Sequence, residues 1–124
     1  MITISLCMIV KNEERILARC LDSVKDLVDE IIIVDTGSTD ATKWIAAGYT
    51  DKIYNFTWID DFSAARNFAF SKATKEYIYS ADADEVLSEE NRRRFRLLKA
   101  TLLPEIEIVQ MKYGNQLQNG AVYN

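Results

Sequence analysis

Hydrophobic residues along the chain form short continuous runs, and these alternate with stretches in which apolar residues recur every three or four positions. The runs predict strands at residues 4–10, 30–35 and 76–81, a short strand at Ile53 and a last strand at residues 106–113. The periodic stretches predict helices at residues 16–24, through Ile45 and Ala47, at residues 61–73 and from Ser88 onward. Such alternation predicts an α/β fold with a mostly parallel, open sheet and helices on both faces.

Polar residues suited to helix N-termini precede the predicted helices. Asn12 precedes the first helix, Asp40 the second, Asp61 or Ser63 the third and Ser88 the fourth. A side-chain oxygen at such a position accepts a hydrogen bond from a backbone N–H of the first turn. These residues are therefore predicted to cap the helices.

Some of the polar residues also follow predicted strands. Asn12 comes after the first strand, Asp35 after the second, and Asp82 and Asp84 after the fourth. In an open α/β sheet, ligands bind beyond the carboxyl ends of the strands. These four residues are therefore predicted to mark a binding site.

Two other patterns are better explained by packing. Tyr54, Phe56 and Trp58 alternate with polar residues, which predicts packing against the sheet and core rather than a platform for a sugar. Residues 92–96 contain four arginines, but Phe95, Leu98 and Leu102 recur at helical spacing in and after this stretch. This stretch is interpreted as an amphipathic helix with a basic, solvated face.

The composition narrows the possible functions. A chain of 124 residues has room for one domain, and its net charge of −4 argues against a nucleic-acid partner. No apolar run approaches the ~20 residues of a membrane span, and residues 1–10 lack a basic leader, so a cytoplasmic location is expected. Cys7 and Cys20 fall within apolar patterns and are predicted to be buried, reduced thiols.

The sequence contains no histidine. This excludes Ser-His-Asp and Cys-His catalytic groups as well as histidine-ligated zinc or iron. Since paired cysteine motifs are also absent from the sequence, a metal would have to be held by oxygen ligands, which favours Mg²⁺ or Mn²⁺.

The segment Asp82-Ala83-Asp84-Glu85 places three carboxylates within four residues. Such carboxylates repel one another unless a cation lies among them, and a divalent ion there could stabilise a diphosphate leaving group. The alternative is a solvated acidic turn in which Asp84 or Glu85 serves the next helix.

Asp35 and Arg66 are further candidates. Asp35 follows four apolar residues and could accept hydrogen bonds from a base N–H or a ribose hydroxyl, or could simply be a turn residue. Arg66 lies among small and apolar helix residues and could contact a phosphate or base, although a surface arginine is the commoner case.

Four ordered segments resemble the family-2 glycosyltransferases, and the resemblance runs from Thr3 to about Leu87. The segments are LCMIVKNEE at residues 6–14, DEIIIVDTGSTD at 29–40, DDFSAARN at 60–67 and DADE at 82–85. The stretch that begins at Trp58 is most similar to a bacterial branch with peptide-glycosylating and repeat-bearing members. The resemblance implies a Rossmann-like GT-A fold, a nucleotide-sugar donor (most often a UDP-sugar), Mn²⁺ or Mg²⁺, and inverting transfer.

The resemblance also assigns roles by position. It implies that the backbone near Ile9 and Val10 and the side chain of Asp35 line the pocket for the base and ribose of the donor, and that Asn12 also belongs to the nucleotide-sugar site. Arg66 is implied to approach the base or phosphates. Asp82 would face the ribose or donor sugar and the metal, and Asp84 would ligate the metal. Thr36 departs from the pattern, because many relatives carry a second acid there, which affects base choice.

The family's catalytic base lies in an acceptor half beyond the metal motif, and after Leu87 this sequence has room only for a helix, a strand and a tail at residues 116–124. Residues 1–124 are therefore expected to form a truncated, donor-binding half that binds nucleotide weakly and transfers no sugar. Its acceptor, whether glycan, peptide or lipid-linked, stays open, and self-association through the exposed truncation surface is expected.

Other protein classes fit less well. A response-regulator receiver needs an acidic pair after the first strand, where Lys11 and Asn12 stand, and a phosphorylatable aspartate where Asn55 stands. A sugar nucleotidyltransferase needs a loop rich in glycine and arginine after the first strand, and a dinucleotide dehydrogenase needs Gly-x-Gly-x-x-Gly. The sequence contains neither motif. The alternative that stays open is a non-catalytic module that binds nucleotide sugar or only packs against other domains.

Overall fold

The fold is described by a computed structural model at residues 2–101, 108–110 and 116–118. Strands and helices alternate through most of the chain, as predicted. The strands are β1 (Ile4–Val10), β2 (Glu30–Asp35), β3 (Ile53–Asn55), β4 (Tyr77–Ser80), β5 (Ile108–Gln110) and β6 (Gln116–Gln118). The helices are α1 (Leu17–Asp22), α2 (Thr42–Ala47), α3 (Phe62–Lys72) and α4 (Glu89–Thr101).

The strands form one open sheet in the order β3-β2-β1-β4-β6-β5. The four strands β1 to β4 run parallel, and β6 pairs antiparallel with both β4 and β5. The predicted mostly parallel sheet is therefore confirmed. In its register Val10 lies beside Asp35, and Asp35 lies beside Asn55, so three strands end together at one edge.

The C-terminal strands differ from the prediction. The strand expected at residues 106–113 is found at Ile108–Gln110, and its other positions lie outside the described residues. Residues 116–118, expected to belong to a tail, form β6 instead. With only three residues, two of them glutamine, this segment has none of the apolar continuity that predicts a buried strand.

The core lies on both faces of the sheet, as predicted. One face is covered by α1, α2 and α4, which contribute the buried residues Leu17, Leu21, Ala46 and Phe95. The other face is covered by α3, whose Ala69 and Phe70 pack on Cys7, Ile32, Val34 and Ile78. Ala65 and Ala69 are small and almost completely buried, which lets α3 lie close to β1. The distance from the Cys7 thiol to the Ala69 carbonyl oxygen is 3.7 Å.

The predicted caps are confirmed at two helices. Asp61 accepts a hydrogen bond from the backbone N–H of Ala64 (3.1 Å), and Ser88 accepts one from Asn91 (3.2 Å). Asp40 lies one residue before the N-cap of α2 and accepts a hydrogen bond from the backbone N–H of Thr42 (2.9 Å).

The prediction that Asn12 caps the first helix is wrong. The helix begins five residues later, at Leu17, and Asn12 adopts a left-handed conformation with φ of 53°. Its side-chain oxygen accepts a hydrogen bond from Thr39 (2.8 Å) instead of from its own helix. Asparagine is common both at helix N-caps and in the left-handed backbone conformation, so the residue type alone does not distinguish the two roles.

Both cysteines are buried and free, as predicted. Burial is the largest cause that raises the pKa of each thiol to about 12, with a further contribution from Glu30 at Cys7 and from nearby acids at Cys20. Among the helices in the described part of the chain, none is long and apolar enough to cross a membrane.

Candidate functional site

The carboxyl ends of β1 and β2 are held together by their first loop residues. The backbone N–H of Thr36 donates to the carbonyl of Val10 (3.0 Å), and its hydroxyl donates to the same oxygen (3.3 Å). The backbone N–H of Phe56 donates to the Asp35 carbonyl (2.9 Å), which extends the ladder just past β3. Three loops therefore begin from one rigid edge.

Asp35 is buried at this edge, with 2% of its surface exposed. One carboxylate oxygen, Oδ1, accepts hydrogen bonds from the backbone N–H groups of Gly37 (2.9 Å) and Ser38 (2.8 Å). The other oxygen, Oδ2, is buried and has no hydrogen-bond partner among the described residues. A buried carboxylate oxygen without a donor is unfavourable, so this position calls for a ligand N–H or O–H.

Two adjoining clefts open at this edge. We call the first the Asp35 cleft; its volume is about 350 Å³, and it is lined by Asp35, Thr36, Gly37, Ser38, Lys43, Asn55, Phe56, Thr57 and Trp58. We call the second the Val10 cleft; its volume is about 290 Å³, and it is lined by Ile9, Val10, Lys11, Glu13, Thr36, Trp58 and Phe62. Thr36 and Trp58 line both clefts, so the two spaces share a boundary.

Arg66 lies on α3, one helical turn after Phe62. Its guanidinium carbon is 4.8 Å from the centre of the Phe62 ring, an arrangement typical of a cation–π contact. Because Phe62 lines the Val10 cleft, this contact places Arg66 next to that cleft. The Asp61 cap and the buried alanines of α3 fix the position of this helical turn.

The acidic segment after β4 forms a turn. The backbone N–H of Glu85 donates to the Asp82 carbonyl (3.0 Å), and the backbone N–H of Asp82 donates to the Glu85 carboxylate (2.9 Å). Glu85 is therefore used within the turn, while Asp82 and Asp84 are exposed. Residues 2–101 contain no group of three or more acids or cysteines arranged to hold a metal. Two exposed carboxylates nevertheless suit Mg²⁺ or Mn²⁺, which take their remaining oxygen ligands from water and phosphate.

The structure brings several predicted site residues together. Ile9, Val10 and Asp35 line the two clefts, and Arg66 lies against the cleft residue Phe62. Asp82 and Asp84 follow β4, the neighbour of β1 in the sheet, at the same carboxyl edge. Asn12 shapes this edge through its bond to Thr39.

Several residues that line the clefts were not predicted from the sequence as site residues, among them Lys43, Asn55 and Trp58. Lys43 donates a hydrogen bond to the Asn55 side chain (2.9 Å), and both line the Asp35 cleft. Trp58 was assigned to the core with Tyr54 and Phe56. That assignment holds for the other two, which pack against Phe68, but Trp58 is 40% exposed and lines both clefts. A signal was available in the sequence, because Trp58 lies two residues before Asp60, where a segment that resembles the family begins.

Comparison with known proteins identifies the family. The chain is 54% identical over 87 residues to a TPR repeat-containing protein of Synechococcus elongatus, covering 70% of this chain. It is 45% identical over 92 residues to the SPbeta prophage-derived glycosyltransferase SunS of Bacillus subtilis, covering 73% of this chain. The chain spans 22% of the length of each of these two relatives.

The fold also matches solved structures. Glucosyl-3-phosphoglycerate synthase from Mycobacterium tuberculosis, solved in complex with Mn²⁺ and UDP-glucose, superimposes with a TM-score of 0.69 at 23% identity. That match covers 88% of this chain and 43% of the synthase chain, and it shows the GT-A fold. The sequence model of glycosyl transferase family 2 matches residues 5–98, and the chain therefore belongs to that family.

Proposed function

We propose that this chain binds the nucleotide-sugar donor of a glycosyltransferase. The observation that carries the proposal is the buried Asp35 oxygen without a partner, at the carboxyl edge of a parallel sheet and beside two clefts. A base N–H or a ribose hydroxyl would supply the missing donor. Family membership supports the same assignment.

Each site residue has a role in this proposal. The backbone of Ile9 and Val10 lines the Val10 cleft and faces the base, while Asp35 accepts a hydrogen bond from the base or ribose. Arg66 supplies a planar cation for the phosphates or base. Asn12 contributes by holding the loop after β1 against Thr39.

Asp82 and Asp84 are proposed to hold Mn²⁺ or Mg²⁺, with Asp82 also facing the ribose or donor sugar. When bound, such a cation neutralises charge on the diphosphate as it leaves. The exposed carboxylates of both residues and their place at the same edge as the clefts support this role. A UDP-sugar is the proposed donor; the synthase with the matching fold was solved with Mn²⁺ and UDP-glucose.

The transfer itself is proposed to invert the anomeric centre and to need residues outside this chain. Inverting transfer requires a base within about 2.6–3.2 Å of the acceptor nucleophile. Residues 1–124 are proposed to be the donor-binding half, acting in the cytoplasm, with the acceptor and the base held by the rest of a longer protein. The acceptor is a glycan, a peptide or a lipid-linked group.

Calorimetry with UDP, UDP-sugars and GDP-sugars, in Mn²⁺ and then in EDTA, tests donor binding. Wild-type chain is expected to bind a nucleotide only with the metal, and Asp35→Asn is expected to weaken binding about tenfold, since a hydrogen bond to a charged group contributes about 1.5–3 kcal/mol. Asp51→Asn, an exposed acid before β3, is the control. Failure of every nucleotide to bind, at millimolar concentration and with metal present, would refute the proposal.

The alternative is binding without transfer. The one observation on its side is that a relative 54% identical over 87 residues is named for its TPR repeats rather than for an enzyme. Turnover of a bound nucleotide sugar by the full-length protein, with release of the nucleoside diphosphate, would exclude a purely binding role.

A further inference from the structure

The segment between β3 and α3 contains a side-chain lock. The indole N–H of Trp58 donates a hydrogen bond to the Asp60 carboxylate (2.9 Å). Asp60 adopts a left-handed conformation, with φ of 58°, which is uncommon for residues other than glycine and is tolerated best by asparagine and aspartate. The backbone at Asp60 therefore bends the chain so that its carboxylate reaches back to Trp58.

The Trp58–Asp60 hydrogen bond holds Trp58 in place, whereas packing holds the other two aromatic residues of the stripe. Tyr54 and Phe56, earlier in the same stripe, contact the ring of Phe68, with ring centres 6.1 Å and 5.1 Å away. Trp58 instead lines the boundary of the Val10 and Asp35 clefts and is 40% exposed. Its indole edge is satisfied by Asp60, which leaves the apolar ring face as the part available to a ligand.

The Val10 cleft suits a flat ligand. Ile9 and Val10 at the end of β1 contribute apolar surface, and Trp58 and Phe62 contribute two aromatic rings. A nucleobase has a π-face that stacks on such rings whatever its hydrogen-bonding edge. The polar groups that could form hydrogen bonds with the edge of the base lie in the adjoining Asp35 cleft.

We propose that Trp58 is a ligand-binding residue that stacks on the base of the donor nucleotide, and that Asp60 is the positioning residue that orients its indole. This inference rests on the proposed donor-binding function. It adds an aromatic contact that sequence reasoning had assigned to the core. Because stacking does not depend on the base edge, Trp58 strengthens binding of a nucleotide while Asp35 and its neighbours select which one.

Asp60 offers substitutions that separate positioning from folding. Asp60→Gly accepts the left-handed backbone without strain but removes the indole's partner. Asp60→Asn keeps both the tolerated backbone and an acceptor oxygen. Glycine is therefore expected to preserve the fold while releasing Trp58, whereas asparagine is expected to behave like the parent chain.

The experiment uses the full 124-residue chain carrying Trp44→Phe. The sequence has two tryptophans, and Trp44 is 81% exposed on α2 and lines neither cleft, so the change leaves Trp58 as the only indole reporter. UDP is titrated with Mn²⁺, and both fluorescence and calorimetric Kd are measured. Saturable quenching of Trp58 is expected, and Trp58→Ala is expected to weaken UDP binding roughly 10-fold to 100-fold.

The Asp60 variants complete the test. Asp60→Gly is expected to weaken binding several-fold with an unchanged or higher melting temperature, and Asp60→Asn to stay within about twofold of the parent. Equal UDP affinity in the parent and Trp58→Ala would overturn the inference alone, as would binding without quenching. Absence of binding by the parent to UDP and to every nucleotide sugar of the calorimetric series would instead overturn the proposed function and, with it, this inference.

Discussion

The side-chain oxygen of Asn12 accepts a hydrogen bond from the backbone N–H of Thr39 at 2.8 Å, and this bond ties the loop after β1 to the loop after β2. A second bond supports it, because the backbone N–H of Asn12 donates to the Ser38 hydroxyl (2.9 Å). The two loops that border the clefts are thus fixed to each other by hydrogen bonds between residues that lie 26 and 27 positions apart in the sequence.

Asn12→Gly isolates this bond. Glycine accepts the φ of 53° at no steric cost, so the substitution removes the side-chain contact without straining the backbone. We expect a loss of about 1 kcal/mol in the free energy of unfolding and weaker nucleotide binding. Urea unfolding and calorimetry measure the two. Asn12→Ala should lose more stability than the glycine variant; the reverse order would show that backbone conformation is unimportant here.

Asp84→Asn tests the metal. If Asp84 ligates the cation, the variant should weaken donor binding by roughly 2–3 kcal/mol, the scale of a lost charge-assisted contact. Parent chain should show the same loss when EDTA replaces Mn²⁺. Affinity that is identical with and without chelator would remove the metal from the proposal.

Arg66→Lys tests the planar cation. Lysine keeps the charge but cannot lie flat on Phe62 or form a fork of two hydrogen bonds to a phosphate. Nucleotide binding should weaken while the melting temperature stays nearly unchanged. Arg93→Lys, an exposed arginine of α4, serves as the control. A large fall in melting temperature with unaltered binding would mark Arg66 as a structural residue.

Glu30 should control part of the acid sensitivity. Burial alone would raise the pKa of its carboxyl, but hydrogen bonds from Lys52, Ser5 and Thr74 outweigh burial and lower it to about 2. A group whose pKa is lowered by folding stabilises the fold at pH values above its pKa in the unfolded chain, which is 4.5 here. That contribution is lost as the pH falls from about 4.5 towards 2.

The measurement is urea unfolding at several pH values for the parent and for Glu30→Gln. Between pH 5 and pH 2.5 the parent should lose about 2 kcal/mol more than the variant. Other acids with lowered pKa, such as Asp26 and Asp40, contribute to both curves and cancel in this comparison. Parallel curves for the two proteins would contradict the assigned role.

The thiols should be unreactive in the folded chain. Burial raises the pKa of Cys7 and Cys20 to about 12, so both are neutral at pH 8, and neither is accessible. A disulfide reagent such as DTNB should label neither cysteine until guanidinium is added and should then label both. Rapid labelling of the native chain at pH 8 would show that α1 or α3 opens readily.

The sequence predicts those features that depend on one stretch of chain. The strands β1, β2 and β4 follow from continuous apolar runs, and the caps Asp61 and Ser88 follow from a polar residue directly before a periodic stretch. The four apolar residues at positions 31–34 end at Asp35, which predicts this carboxylate at the end of a strand. Each of these predictions needed only local pattern and parallel-sheet geometry.

The features that escaped prediction depend on partners far away in sequence. Asn12 bonds to Thr39, and its left-handed backbone is set by that loop rather than by its own helix. Trp58 continues the alternation of Tyr54 and Phe56, but the strand has ended by Asn55, so the alternation no longer fixes which side faces the core. Lys43 enters the site only because α2 lies beside β3.

The position of β6 has a consequence for how the chain acquires its fold. The outer edge of β4 is paired by residues 116–118, which follow it by 36 positions or more, and not by β5, the next strand among the described residues. During synthesis, β4 therefore emerges with an open edge while β1 to β3 can already assemble. Until β6 arrives, that edge is a template for pairing with another copy. Slow translation or a cut after α4 would therefore favour aggregation, even while the strands that border the clefts stay folded.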